Sequence, residues 1–101
     1  MINVGGLKIA PTEVEDVALR HPMVNECVCI PYEDKVRGRV VKMLVVPSEG
    51  YDLDPGALTA YLEENLEAYK VPKYIEQVGE IPKTFNGKID RKKIIKSQNE
   101  I

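Results

Sequence analysis

The chain has 101 residues, too few for two domains with separate cores, yet a chain of this size buries about 65% of its unfolded surface and can form a real core. Its 44% hydrophobic and 30% charged residues place it among globular rather than disordered chains. Fourteen basic against sixteen acidic residues lack the excess of a dedicated nucleic-acid binder, and no apolar run nears the ~20 residues that span a bilayer.

The first segment, Met1-Ile2-Asn3-Val4-Gly5-Gly6, has neither the basic flank nor the apolar stretch of a signal peptide, so a cytoplasmic location is expected. Residues 2–9 read as two short extended pieces around Gly5-Gly6, a tight hairpin, because glycine tolerates positive φ at the turn. Pro11 to Glu15 opens a helix, with proline in its first turn and acids at the positive dipole end. Val14, Val17 and Ala18 form its apolar stripe, and His21-Pro22 stops it, His21 capping or packing rather than catalysing.

Residues 23–32 and 39–47 predict two strands joined by a charged connection, and so an antiparallel pair. Cys27 and Cys29 would point to one face of the first strand. Bridging them is geometrically poor, and two reduced core thiols are expected. Asp54 caps a second helix with Pro55 at its first position, and Leu58, Tyr61, Leu62, Leu66 and Tyr69 follow the helical period. Tyr74 to Ile81 predicts a third strand, Asn86-Gly87 a turn, and Asp90 the cap of a last helix over Arg91 to Gln98. The expected fold is α+β: an N-terminal β-hairpin, then a small three-stranded sheet with helices packed against it, in one domain over residues 1–101.

Three places can carry chemistry. Gly5-Gly6, ahead of a helix, is either a plain hairpin or a backbone surface that a ligand can approach, though it lacks the spacing of a phosphate-binding loop. Lys88, behind the Gly87 turn, is either a solvated surface lysine or a projecting point charge suited to a phosphate or carboxylate oxygen. Lys88, Arg91, Lys92, Lys93 and Lys96 make a basic run with no interleaved aromatics, which reads as a solvated helix end. Glu63-Glu64 reads as solvating charge, and a metal site would need more ligands than the cysteines and His21 supply.

Taken in order, these pieces carry a resemblance. Ile2-Asn3-Val4-Gly5-Gly6-Leu7-Lys8-Ile9-Ala10-Pro11-Thr12-Glu13-Val14-Glu15 resembles the start of the C-terminal domain of the acyl-adenylate-forming enzymes, a superfamily that includes the acyl-CoA synthetases. Tyr69-Lys70-Val71-Pro72-Lys73 resembles its YKVP segment. Ile81-Pro82-Lys83-Thr84 followed by Gly87-Lys88-Ile89-Asp90-Arg91 resembles its terminal motif.

The resemblance covers the chain from Ile2 to about Lys96 and implies the lid of a two-step ligase. A carboxylic acid would be adenylated by ATP with Mg²⁺, and a thiol of CoA or a carrier-protein pantetheine would then displace AMP. Lys88 matches the lysine that enters the site for adenylation. Gly5 and Gly6 match the hairpin that faces the pantetheine tunnel, Gly6 being the glycine against which the arm would pass, with Lys8 assisting, and Glu13, Gly87 and Arg91 support the motifs. The family's hinge residue would lie just before Met1, and its large N-terminal adenylation domain lies outside the sequence. The chain alone is therefore expected to be inactive, and to work either as part of a longer ligase or as a free-standing lid in trans. A non-catalytic binding module on the same fold is the alternative.

Overall fold

The computed structural model describes residues 1–100. Gly5 and Gly6 both hold positive φ, +57° and +85°, the pair a type I′ turn requires. Strands β1 (Ile2–Val4) and β2 (Leu7–Ile9) therefore close into the expected hairpin, with Asn3 opposite Lys8. Helix α1 (Pro11–Leu19) follows at once and buries Val14, Val17 and Ala18. His21 behaves as expected: its Nδ1 accepts the Met23 N–H at 3.1 Å, and its ring meets Tyr61 edge-on at 5.0 Å.

Strands β3 (Val24–Asp34) and β4 (Gly38–Pro47) pair antiparallel. Their link is shorter than the charged connection read from the sequence. Asp34 accepts the N–H groups of Val36 and Arg37 at 2.8 and 3.0 Å, which tightens the turn and lets both strands extend toward it. Helix α2 (Pro55–Asn65) starts where expected, with Asp54 accepting the Ala57 N–H at 3.1 Å. It crosses over to β5 (Tyr74–Gln77), parallel to β4, giving the sheet order β3-β4-β5. Helix α3 (Arg91–Asn99) is capped by Asp90, which accepts the Lys93 N–H at 3.2 Å. The α+β expectation holds.

Two expected boundaries move. The second helix ends at Asn65, where the Asn65 side chain donates to the Tyr61 carbonyl at 2.8 Å and Leu66 turns extended. Leu66 still packs on the core, but Tyr69 stands apart in a separate 3₁₀ turn, Ala68–Lys70. The third strand stops at Gln77 instead of Ile81. Val78 donates a last hydrogen bond to Val45, and Gly79, with no side chain to pack, lets the chain leave the sheet. Ile81 is thereby carried to the opposite side.

Both faces of the sheet are covered, so β3 and β4 read as near-continuous apolar runs. On one face Cys27, Cys29, Val41, Met43 and Val45 pack with the hairpin, α1 and α2. On the other Val28, Ile30 and Leu44 pack with Ile81 and with Ile94 of α3. The two cysteines are free and buried, sharing a face as expected. Burial, followed by the nearby Glu15 carboxylate, pushes the Cys27 thiol up to about 12 and raises that of Cys29 as well. Since the thiolate is the nucleophile, iodoacetamide at neutral pH is expected to leave both unmodified in the native chain and to label both after denaturation. Native labelling at the rate of an exposed thiol would contradict this placement.

Candidate functional site

The segment from Pro82 to Asp90 is a closed hairpin. The Asp90 N–H donates to the Pro82 carbonyl at 2.9 Å, Thr84 N–H to Lys88 O at 2.7 Å, and Gly87 N–H to Thr84 O at 2.9 Å, with a bridge between Lys83 and Ile89. Gly87 takes the turn's positive φ, +83°. The hairpin's feet are apolar: Ile81 is buried, and Ile89 packs against the second core cluster. Lys88 thus has a fixed backbone and an exposed side chain, whose ammonium has no hydrogen-bond partner among the described residues. Phe85, at the tip beside it, is 99% exposed.

The Gly5-Gly6 turn is built alike. Ile2 and Ile9 anchor its strands in the first core cluster, while Gly5, Gly6 and Lys8 are exposed. A Cβ added at either glycine would meet no atom within 4 Å. Only the positive φ demands glycine from within this domain.

The expected residues therefore do not form one pocket. The Gly5-Gly6 hairpin packs on one face of the sheet and the Lys88 hairpin on the other. A cavity of about 600 Å³ does exist, lined by Tyr32, Asp34, Tyr74 and Gln98, but none of the expected site residues line it. Its wall is braced: Tyr74 donates to Asp34 and so holds that carboxyl well below its usual range. Among the described residues no group of three or more His, Cys, Asp or Glu side chains could hold a metal ion.

The motif-supporting residues do structural work that the sequence reading did not foresee. Glu13 pairs with Lys70 at 3.0 Å, tying α1 to the 3₁₀ turn, and this contact chiefly raises the Lys70 pKa. Arg91 is not part of a solvated basic run. It forks onto Glu15 at 2.8 and 2.9 Å, and that pairing is the main cause of its raised pKa. The signal for Glu15 was available: it lies three residues before Ala18, on the buried stripe of α1. Lys42, also missed, is nearly buried between Glu76 and Gln98, each at 2.8 Å, with the Tyr32 ring 4.5 Å away.

The fold and these elements define a small α+β domain with two exposed glycine-turn hairpins anchored on opposite faces of one sheet. The chain belongs to the AMP-binding enzyme C-terminal domain family, whose sequence profile matches residues 13–88. It is 37% identical to the human mitochondrial acyl-coenzyme A synthetase ACSM1 over 97% of its own length and 18% of that protein. It is 39% identical to an oxalate–CoA ligase of Arabidopsis thaliana over 91% of its length and 18% of that enzyme. Its backbone superposes on the anthranilate CoA ligase AuaEII, in complex with anthranoyl-AMP, with a TM-score of 0.91 and 34% identity, over 98% of this chain and 20% of that one. An acyl-CoA synthetase of Brucella canis gives 0.88 at 32% identity, over 97% and 19%. The chain thus spans about a fifth of the length of the relatives it matches. No helix among the described residues is long and apolar enough to cross a membrane.

Proposed function

We propose that this is the mobile C-terminal domain of an ATP-dependent, AMP-forming acid–thiol ligase of the acyl-CoA synthetase type, inactive by itself. One observation carries the reading: the Lys88 hairpin and the Gly5-Gly6 hairpin pack on opposite faces of one sheet. Two opposed surfaces of one rigid body do not face the same cleft at once. A ligase with two half-reactions can use both only by turning this domain between them.

In the first half-reaction a carboxylate oxygen of the acid attacks the α-phosphate of ATP, giving acyl-AMP and pyrophosphate. Negative charge builds on the phosphate and carboxylate oxygens, and Lys88 supplies a fixed cation there without losing other partners. In the second, a thiol attacks the acyl carbon, AMP leaves, and a thioester forms. The Gly5-Gly6 turn then lines the path of the pantetheine arm, with Lys8 on the adjacent strand. The nucleotide, Mg²⁺ and acyl group are held by an N-terminal adenylation domain, on the same or a separate chain. The acceptor is CoA or a carrier-protein pantetheine; the CoA-ligase and acyl-coenzyme A synthetase names among the relatives favour CoA. The free thiols of Cys27 and Cys29 suit a reducing compartment such as the cytoplasm.

The test is ATP–pyrophosphate exchange with the chain alone and with the adenylation domain present. Exchange is expected only in the second case. Exchange by the chain alone, or the same exchange by the adenylation domain whether or not this chain is supplied, would overturn the reading.

A further inference from the structure

Glu15 is a carboxylate held out of solvent, its side chain 8% exposed, and nothing in the chemistry above uses it. Its Oε1 accepts Arg91 Nη2 at 2.8 Å. Its Oε2 accepts both Arg91 Nη1 at 2.9 Å and the Cys29 backbone N–H at 2.7 Å. Arg91 Nη1 also donates to the Cys29 carbonyl at 3.1 Å. These bonds join α1, β3 and α3 at a single point. Arg91 is the first residue of α3, and its neighbour Asp90 both caps that helix and closes the Lys88 hairpin onto Pro82.

We propose that Glu15 and Arg91 are positioning residues for Lys88, fixing where its ammonium lies during adenylation; the inference rests on the role given to Lys88 above. The apolar feet Ile81 and Ile89 attach the hairpin to the sheet, but apolar contact is non-directional and leaves its angle free. The other ion pair at the hairpin, Lys83 with Glu26, has side chains 40% and 37% exposed. Pairs that exposed contribute little. A bidentate guanidinium–carboxylate pair sets distance and orientation together, so the angle of the hairpin is held by Glu15 and Arg91. An ammonium at the end of a long stem magnifies any tilt at its root.

The experiment uses the assembled ligase and measures the half-reactions separately: ATP–pyrophosphate exchange, and thioester formation from supplied acyl-AMP. Glu15→Gln keeps the shape and removes the charge facing Arg91. It is expected to lower kcat for exchange about tenfold, the scale of a small misplacement, with little change in KM for ATP or acid and little loss of thioester formation. Placed on a Lys88→Ala background, the same substitution is expected to cost nothing further, because it acts through Lys88. An equal loss on both backgrounds, a parallel fall of both half-reactions, or no loss at all overturns the inference. Arg91→Lys, which keeps the charge and loses the fork, is read in the same way if Glu15→Gln fails to fold. Should Lys88→Ala itself leave exchange intact, the role of Lys88 fails first. Should Lys88→Ala abolish exchange while Glu15→Gln spares it, only the positioning inference fails.

Discussion

Lys88→Ala in the assembled ligase is expected to cut ATP–pyrophosphate exchange roughly 10²- to 10³-fold, the usual cost of removing one preorganised charge-stabilising group. Thioester formation from supplied acyl-AMP is expected to stay near the parent rate. The asymmetry follows from placement. Lys88 stands on one face of the sheet and the Gly5-Gly6 hairpin on the other, and in the proposed cycle only the second meets the cleft during thioester formation. The size follows from the ammonium's free state: it has no hydrogen-bond partner among the described residues, so no existing pairing must be broken when it meets the developing charge. Folding is not at risk, since an exposed side chain on a hairpin closed by its own backbone bonds contributes little to stability. Lys88→Arg separates charge from shape. It keeps the cation on a longer, planar head, and a partial recovery of exchange is expected. Equal losses in both half-reactions would remove Lys88 from its role.

What the sequence disclosed was mostly local. Asp54 and Asp90 cap helices because a short acidic side chain reaches N–H groups only three residues ahead. Gly5-Gly6 and Asn86-Gly87 announce turns because few residues accept positive φ. The elements that carry the proposed chemistry lie on these turns, so they were visible at once, and the family motifs gave them order. The misjudged boundaries were set by distant partners. The third strand ends early because Ile81 is needed in the core on the far side of the sheet. Tyr69 fits the helical period of α2, yet Asn65 ends that helix first.

The Glu15–Arg91 pair shows the same limit more sharply. Its members lie 76 residues apart; the stripe of α1 marks Glu15 as inward-facing, but nothing local names its partner, and Arg91 reads as one base in a basic run. Only packing of α1 and α3 around β3 turns them into a buried fork. Arg91 was singled out by its motif without a physical reason for being there, and the fork supplies one.

Gly6→Leu is expected to produce the mirror image of the lysine result: thioester formation falls roughly 10²-fold or more while exchange stays within about twofold of the parent. The substitution has an obvious confounder, because Gly6 holds a φ of +85° and a leucine there is strained. That strain is about 1–2 kcal/mol. Against it stand Ile2 and Ile9, 3% and 0% exposed, whose burial contributes about 1.5–3 kcal/mol each. The anchors outweigh the turn, so the hairpin stays docked with a leucine at its tip. Nothing within 4 Å of the added Cβ opposes it inside this domain, and the leucine must project outward, toward whatever the turn faces. Gly5→Asn is the matched control, because asparagine accepts positive φ and Asn-Gly is a favoured type I′ pair. It keeps the turn while leaving Gly6 bare, and near-parental thioester formation is expected from it. If Gly6→Leu also formed thioester at the parental rate, no pantetheine arm would pass this turn. If Gly5→Asn failed as badly as Gly6→Leu, the demand would be for a pair of glycines at the tip, and a tunnel wall at Gly6 alone would be the wrong account.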